Sequence, residues 1–550
     1  MKRRTLLQLT ASAASLSAPR RAVLRAGLAL GTMATVLDQP RAWADEAPVR
    51  GGQLIVGQFP EPAVLTSGIN TAGPTANISG KIFDGLLTYD FDFRPKPQLA
   101  TAWEVSSDGR TIRFTLRPGV TWHDGHPFTS ADVAFSVTEI WRKYHARGRS
   151  TFANVTSVET PDPLQVVLDL SQPAPFILNA LVATESQVLP RHLYEGTDIL
   201  ANPHNIAPIG TGPFRFVRWD RGSHILLQRH PGYWDQPKPY LDQVLYRFIP
   251  DAGARSAALE AGDVHLVGES NVPGPDLVRL AALPRLDFDT KGYDYGSSVA
   301  LLEFNLDRPV FQDVRVRRAI AHALDQQFIA ESIWFGYGKP ATGPIPPSFA
   351  AFYSDDVPRY PHDLKRATAL LDEAGLHPDA QGIRLSITHD YMPYGDPYQR
   401  TADYIRDALK RIGIRVAIRT QDYAAFVKRV YTDRDFDTTN YSASTGPDPA
   451  IGVQRFYWSK NFQPGVAFSN GSHYARAEVD TALEAAAVET DPQRRRALYA
   501  QFQALVQADL PELPLSVLRQ ATIAQRRVRR HTVTIDGIRG NFAETYLLPA

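Results

Sequence analysis

The chain has 550 residues, of which 43 % are apolar and 21 % charged, a composition typical of a globular protein with two or three domains. It contains no cysteine, which excludes disulfides, thiolate nucleophiles and cysteine-ligated zinc. The formal net charge is +1, but residues 1–44 hold seven Lys/Arg against one Asp, so the remaining chain carries −5. Mildly acidic, dispersed charge gives no reason to expect nucleic acid as a partner.

The N-terminus has the features of an export signal. Arginine pairs at Arg3-Arg4 and Arg20-Arg21 precede a modestly apolar run over 26–37, and Ala42-Trp43-Ala44 has the small-x-small form of a cleavage site. Paired arginines before a weak apolar run favour a twin-arginine signal over residues 1–44, with an ordinary Sec signal as the alternative. No later apolar run is long enough to span a bilayer. We therefore expect a free periplasmic protein.

The first segments after the signal read as mixed β and α structure. A β-rich run over 51–59 predicts a strand, and the apolar spacing of Ile78, Ile82 and Leu86 predicts a helix. Alternating apolar and polar residues on both sides of Asp108-Gly109 predict a β-hairpin, since this dipeptide is typical of two-residue turns.

The next stretch, "TWHDGHPFTSADVAFSV", holds two histidines around an aspartate: His123, Asp124 and His126. These residues flank a turn, and a capping box formed by Thr129 and Asp132 starts a helix directly after it. A zinc site needs three or four convergent ligands. The spacing therefore favours a structural turn over a metal site.

The remainder of the chain divides into two α/β regions. We expect a hairpin over 155–175 and a βαβ-like unit over 242–267. A domain crossing is expected near 295–298, followed by alternating helices and strands over 363–418. The tail from Leu513 is again strand-like and is expected to return to the first domain.

Several motifs, in order, resemble one family: the large extracytoplasmic solute-binding proteins of ABC importers for peptides, nickel complexes and related solutes. The ordered set runs from about residue 51 to 515 and covers nearly all of the chain after the signal. The matching stretches include "IFDGLLTYD", "LATAWEVSSDGRTIRFTLRPGVTWHDGHPFTSADVAFS", "PIGTGPFRFV", "GYWDQPKPYLDQVLYRFIPD", "ALEAGDVHLV", "FNLDRPVFQDVRVRRAIAHALDQQFIAESIWFGYGKPATGPIPP" and "ATALLDEAGL".

The resemblance implies an α/β, two-lobe periplasmic binding protein of type II, in its large class, with an additional β-rich subdomain in the first lobe. It implies capture of a peptide-like or other polar solute between the lobes and delivery to an ABC permease with its ATPase subunits. It implies no enzymatic activity and no cofactor, and we expect a monomer. The expected bounds are 45–90, 200–296 and 512–550 for lobe I, 91–199 for its inserted subdomain, and 297–511 for lobe II.

In peptide-binding relatives an aspartate before a "DP" pair in the second lobe holds the peptide α-amine. Here that place falls on Thr445 or Ser444, in the segment "NYSASTGPDPAIG" that also contains Ser442 and Asp448. Neither residue can pair with an ammonium group, which needs a charged partner when buried. We expect a ligand held by hydroxyl and backbone hydrogen bonds, such as a modified peptide, an opine-like conjugate or a glycoside. Asp448 is a further candidate contact or a helix cap.

Five more positions are candidate ligand contacts. Thr71 and Gly73 occupy the place where peptide-binding relatives contact the ligand backbone, with an ordinary loop as the alternative. Tyr391 and Tyr394 follow a predicted strand end, where open α/β sheets bind ligands, although core packing is equally compatible. Asn305 lies near the expected crossing, where it either contacts the ligand or has a structural role.

Two other functions are compatible with parts of the sequence. A metal-chelate carrier of the nickel-binding kind would use His123, His126 or His389. A secreted hydrolase would need paired carboxylates such as Asp433 and Asp435, in a stretch that reads as a solvated turn. There is no GxSxG or HExxH motif, so we expect neither catalytic residues nor a resident metal.

Overall fold

The computed structural model describes residues 47–549. The predicted signal over 1–44 lies outside this range. Within residues 47–549, every helix is too short or too polar to cross a lipid bilayer.

Two large sheets define two lobes. The strands are, in chain order, β1 (Gln53–Gln58), β2 (Leu87–Tyr89), β3 (Pro95–Pro97), β4 (Ala100–Val105), β5 (Thr111–Leu116), β6 (Val155–Asp162), β7 (Gln165–Leu170), β8 (Phe214–Asp220), β9 (His224–Arg229), β10 (Gln243–Phe248), β11 (Leu266–Val267), β12 (Leu286–Asp289), β13 (Ser298–Phe304), β14 (Gly338–Pro340), β15 (Leu385–Tyr391), β16 (Ile414–Arg419), β17 (Thr438–Ser444), β18 (Glu512–Leu518), β19 (Thr522–Gln525), β20 (Val528–Arg529) and β21 (Tyr546–Leu547). The lobe I sheet has the order β12-β19-β11-β1-β10-β9-β8, and the lobe II sheet the order β14-β18-β13-β17-β15-β16.

The helices cover the sheets and connect their strands. They are α1 (Gly73–Ile82), α2 (Ser130–Phe135), α3 (Gly148–Thr151), α4 (Arg191–Tyr194), α5 (Ala252–Ala261), α6 (Gly274–Ala281), α7 (Pro309–Gln312), α8 (Val314–Ala323), α9 (Gln326–Phe328), α10 (Leu364–Glu373), α11 (Asp396–Lys410), α12 (Tyr423–Val427), α13 (Pro449–Gly452), α14 (Gln454–Tyr457), α15 (Ala477–Val488) and α16 (Pro492–Asp509). Single π-helical turns follow α2, α9 and α12, at Ser136–Trp141, Ile329–Ile333 and Lys428–Thr432. Short 3₁₀ turns lie at Pro175–Asn179, Pro203–Asn205, Asp294–Gly296, Ser459–Asn461 and Gly537–Arg539.

A four-stranded antiparallel sheet, β4-β5-β7-β6, forms the inserted subdomain. Its first hairpin turns at Asp108-Gly109 as predicted, with Glu104 opposite Arg113. The predicted start of α2 is also confirmed, because the Thr129 amide donates to the Asp132 carboxylate at 2.9 Å.

One predicted helix is shorter than its apolar spacing suggested. Ile78 and Ile82 lie on α1, but the helix ends at Ile82, and Leu86 lies outside it. The chain then turns because the Leu87 amide donates to the Leu181 carbonyl at 3.0 Å, which starts β2. A tertiary contact therefore overrides the local periodicity.

Lobe II is built around a sheet with two buried faces. Val299 and Leu301 on β13 pack in one apolar cluster, and Ala300 and Leu302 pack in another on the opposite face. A strand with both faces buried is apolar along its whole length, which explains the continuous run in "SSVALLEF".

Within residues 47–549, the chain crosses between the lobes at two places. The first crossing is just before β13, near the predicted 295–298. The second lies between β18 and β19, because β18 pairs with β13 and β14 in lobe II while β19 pairs with β11 and β12 in lobe I. The predicted lobe I segment 512–550 therefore begins too early, since residues 512–518 belong to the lobe II sheet.

Candidate functional site

The predicted hydroxyl contacts lie where β17 meets the crossing segment. Ser444 Oγ donates to the Gly296 carbonyl at 3.2 Å, and Thr445 Oγ1 donates to the Ser297 carbonyl at 3.0 Å. Ser444 is half-buried and Thr445 fully buried. Both hydroxyls therefore fasten lobe II to the first crossing, and Ser444 retains access to solvent.

Asp448 is buried and surrounded by protein donors. Its two oxygens receive both terminal nitrogens of Arg495 at 2.7 and 2.8 Å, and Oδ1 also accepts the Ala450 amide at 3.0 Å. The Asn179 side chain, from lobe I, donates to Oδ2 at 3.0 Å. These donors occupy the carboxylate, so its contacts support a cap and a link between lobes rather than a ligand anchor.

Three other candidates have partners inside lobe II. The Tyr391 hydroxyl donates to Thr420 at 3.3 Å, and the Asn305 side chain donates to the Phe436 carbonyl at 2.9 Å. Ser442 shares a hydrogen bond of 2.6 Å with the Tyr398 hydroxyl. These contacts are those of structural residues.

The remaining candidates are more accessible. Tyr394 is 60 % exposed and stacks on Tyr423 with ring centroids 5.2 Å apart. Thr71 and Gly73 precede and begin α1, and a Cβ at Gly73 would lie 3.5 Å from a carboxylate oxygen of Glu269. Glu269 therefore lies in van der Waals reach of the start of α1.

Sequence reasoning missed a charged group that surrounds Ser444 and Gly73. Lobe I contributes two ion pairs, Arg539–Glu269 at 2.8 Å and Arg147–Glu185 at 2.5 Å. An Arg539 guanidinium nitrogen also lies 3.9 Å from where a Cβ would stand on Gly296. No local pattern could have indicated this group, because its members come from distant parts of the chain.

Lobe II contributes Arg455, whose guanidinium donates to the Gly452 carbonyl at 3.1 Å. Among residues 47–549 it has no carboxylate within ion-pair distance. Burial and the nearby Arg147 guanidinium lower the pKa of Arg455 to about 10. We call Arg147, Glu185, Glu269, Arg455 and Arg539 the cleft charges; they hold one more cation than anion.

The lobes touch directly beside the cleft charges. The Tyr295 hydroxyl, at the first crossing, donates to the Asn179 carbonyl at 2.6 Å, and Phe93 packs edge-on against Phe349 of lobe II at 5.2 Å. A cavity of about 240 Å³ reaches Arg539 and is lined by residues of lobe I, including Trp234 and Asp536. A much smaller hollow of about 10 Å³ lies in lobe II beside Thr445 and Tyr457.

The alternative functions find less support in these positions. His123 and His389 are enclosed, and burial lowers their pKa to about 3 and about 4. Their ring nitrogens contact the Gly212 carbonyl and the Thr438 and Asn440 side chains, so neither histidine faces a solute. His126 is exposed on its turn.

Asp433 and Asp435 do not form a carboxylate pair of the kind a hydrolase needs. Asp433 pairs with Lys428 at 2.5 Å, and Asp435 pairs with Arg419 at 3.1 Å. Both carboxylates are largely exposed to solvent. They are solvated ion pairs, as the turn-like sequence around them predicted.

Comparison with known proteins finds relatives that match most of the length of this chain. Protein XP55 of Streptomyces lividans is 32 % identical over 497 residues, covering 88 % of this chain and 87 % of that protein. The glutathione-binding protein GsiB of Salmonella typhi is 27 % identical over 473 residues, covering 84 % of this chain and 86 % of that protein. The structure of the oligopeptide-binding protein AppA from Bacillus subtilis in complex with a nonapeptide superposes with a TM-score of 0.78 at 27 % identity, covering 91 % of this chain and all of that one.

The fold is thus the two-lobe α/β fold of type II periplasmic binding proteins, as the family resemblance implied. Residues 94–465 match the family described as "Bacterial extracellular solute-binding proteins, family 5 Middle". Such proteins are the solute-binding components of ABC importers and are not enzymes. The chain belongs to the family 5 extracellular solute-binding proteins of bacteria.

Proposed function

We propose that this protein captures a peptide-like solute carrying at least one carboxylate between its lobes, in the periplasm, and delivers it to an ABC permease. The observation that carries the proposal is Arg455. It is a largely enclosed guanidinium that faces the lobe I ion pairs without a carboxylate of its own. A buried cation is stabilised by a paired anion, and a guanidinium matches a carboxylate with two parallel hydrogen bonds.

The balance of the cleft charges favours a zwitterionic solute over a neutral one. Glu185 and Glu269 can accept from the amines of a peptide-like ligand, while the guanidiniums hold its carboxylates. The resemblance implies that Thr445 or Ser444 takes the place of the amine-binding aspartate of peptide-binding relatives, so a plain α-amine anchor at that point is not supported. Glutathione and a nonapeptide, bound by the relatives GsiB and AppA, belong to the proposed chemical class. An opine-like conjugate fits it equally, whereas an uncharged glycoside does not.

The test is a binding panel on the purified exported protein. Isothermal titration and native mass spectrometry would compare glutathione, short peptides and opine-like conjugates with uncharged oligosaccharides. We expect the carboxylate-bearing solutes to bind and Arg455→Gln to weaken that binding by roughly 10- to 100-fold, the range for a lost charge-assisted hydrogen bond. Arg400→Gln, at an exposed pair with Asp396, is the matched control. Tight binding of a neutral oligosaccharide, unchanged in Arg455→Gln, would refute the proposal.

A second candidate is a metal-chelate carrier of the nickel-binding kind. Polycarboxylate chelates are anionic, so the arginines of the cleft would hold them as well. The candidate would need no histidine ligand, which is compatible with the enclosed His123 and His389. Elemental analysis of natively purified His126→Gln, which lacks the exposed imidazole of the 123–126 turn, separates the two candidates, because a peptide-like cargo predicts no stoichiometric nickel or iron in that protein.

A further inference from the structure

The turn singled out in the sequence gains a third residue from another element. Asp124 lies between two imidazoles: His126 Nδ1 is 3.3 Å from Oδ1, and His192 Nε2, from α4, is 2.8 Å from Oδ2. One ligand atom from each of the three residues lies within 4.8 Å of the other two. The two imidazoles stack with centroids 4.1 Å apart and an angle of 29° between their planes. Sequence spacing could not find His192, which lies 66 positions after His126.

Both parts of this arrangement are held by the surrounding structure. The Trp122 amide donates to the His126 carbonyl at 2.8 Å, and the Asp124 carboxylate caps the turn by accepting the His126 amide at 3.1 Å. On the other side, the Arg191 amide donates to Asp132 at 2.9 Å, which fixes the start of α4. The backbone positions of the three residues are therefore fixed before any ion binds, which reduces the cost of ordering the site.

We propose that Asp124, His126 and His192 form a binding site for a late first-row divalent metal ion: Zn²⁺, Ni²⁺ or Cu²⁺. Two imidazole nitrogens and one carboxylate oxygen are ligands that these ions prefer over Ca²⁺ or Mg²⁺. Metal–ligand bonds of about 2.0–2.1 Å in a tetrahedral site place ligand atoms about 3.3 Å apart, and the three ligand atoms here lie within 4.8 Å of one another without a metal ion. The His126 side chain is 61 % exposed, which leaves room for water to complete the coordination.

This site is separate from the proposed solute site. Its hydrogen bonds and ring contacts join the β5–α2 turn to α4, and they involve none of the cleft charges. A bound ion would link the turn to α4, as the Asp124 carboxylate does between the two histidines without metal. We therefore expect metal to raise the melting temperature without changing affinity for the solute.

The experiment titrates Zn²⁺ and Cu²⁺ into metal-free, solute-free exported protein by calorimetry, with electron paramagnetic resonance of the Cu²⁺ form. We expect one ion per chain, two nitrogen ligands in the spectrum, and at least tenfold weaker binding in His126→Gln and in His192→Gln. His377→Gln is the matched control, since His377 is exposed beside a single carboxylate, Asp372, at 3.4 Å. Arg455→Gln should keep the metal affinity while losing solute affinity, so the two sites are tested independently.

Two results would overturn this assignment. One is a metal affinity equal to that of the wild type in both His126→Gln and His192→Gln. The other is a loss of metal affinity in His377→Gln as large as in those two variants, which would mean that surface histidines in general bind the metal loosely. The melting temperature of each metal-free variant is measured first. If it equals the wild-type melting temperature, a loss of metal binding in the titration reflects the missing imidazole and not unfolding.

Discussion

Asp448 and Arg495 illustrate how a single buried pair can set the geometry of the site. The pair makes two hydrogen bonds, and both side chains are almost fully enclosed. Arg495 also stacks near Phe352, with the guanidinium 5.0 Å from the ring centroid. Together these contacts hold the start of α13 beside Arg455, the residue proposed to meet the solute.

Asp448→Asn should be strongly destabilising. The substitution preserves the shape of the side chain but leaves the Arg495 cation buried without an anion, a change that costs about 3–5 kcal/mol. Urea unfolding followed by circular dichroism would measure the loss in free energy of unfolding. Asp396→Asn, which breaks an exposed pair with Arg400, is expected to cost less than about 1 kcal/mol. Equal effects of the two substitutions would contradict the role given to Asp448.

At the scale of elements, a polar row crosses the buried lobe II sheet. Strand register places five residues side by side on neighbouring strands: Glu512, Glu303, Thr439, Asp390 and Arg419. At one end of the row the buried charge of Asp390 is balanced, because Asp390 pairs with Arg419 at 2.6 Å. At the other end the Glu303 oxygens complete no hydrogen bond within residues 47–549, although the Ser472 amide approaches them. Burial beside a second carboxylate therefore favours the neutral form of Glu303.

This carboxyl pair predicts a stability that declines as pH rises. Burial raises the pKa of Glu512 from 4.5 to about 7, and burial together with Glu512 raises the pKa of Glu303 well above its usual value. An acid whose pKa is higher in the folded state than in the unfolded state makes its full contribution to stability below the unfolded pKa. That contribution is lost as the pH rises towards the pKa of the folded state. The loss therefore falls mainly between pH 4.5 and about 7.

Urea midpoints between pH 4.5 and 8 would measure this slope. Glu303→Gln should flatten it, because one member of the pair then carries no charge at any pH. Glu104→Gln, on the exposed hairpin, is the control and should leave the slope unchanged. A flat profile in the wild-type protein would remove the carboxyl pair as a source of pH dependence.

The sequence could predict local structure better than the boundary between lobes. The hairpin at Asp108-Gly109 and the start of α2 follow from residues adjacent in the chain, so their signals are complete within a short window. The apolar run over 512–518 is compatible with either lobe sheet, and only strand pairing assigns it to lobe II. The cleft charges come from five distant positions, and the tertiary fold alone brings them together.

At the scale of the whole molecule, Asn179 links the two lobes. Its side chain joins lobe I to Asp448 in lobe II, and its carbonyl accepts from Tyr295 at the first crossing. A hydrogen bond to a charged group contributes about 1.5–3 kcal/mol. Asn179→Ala removes the side-chain link and should favour the open form by about 10- to 100-fold, since each 1.4 kcal/mol is a factor of about ten.

The expected result is a larger radius of gyration for solute-free Asn179→Ala in X-ray scattering, with wild-type dimensions recovered when solute saturates the cleft. Apparent solute affinity should fall by no more than the change in the closed population, because the ligand contacts themselves are untouched. Asn154→Ala is the control, since the Asn154 side chain accepts from Gln172 of the same subdomain at 3.4 Å. If the radius stays the same in both variants, closure rests on the apolar contact of Phe93 with Phe349 rather than on Asn179.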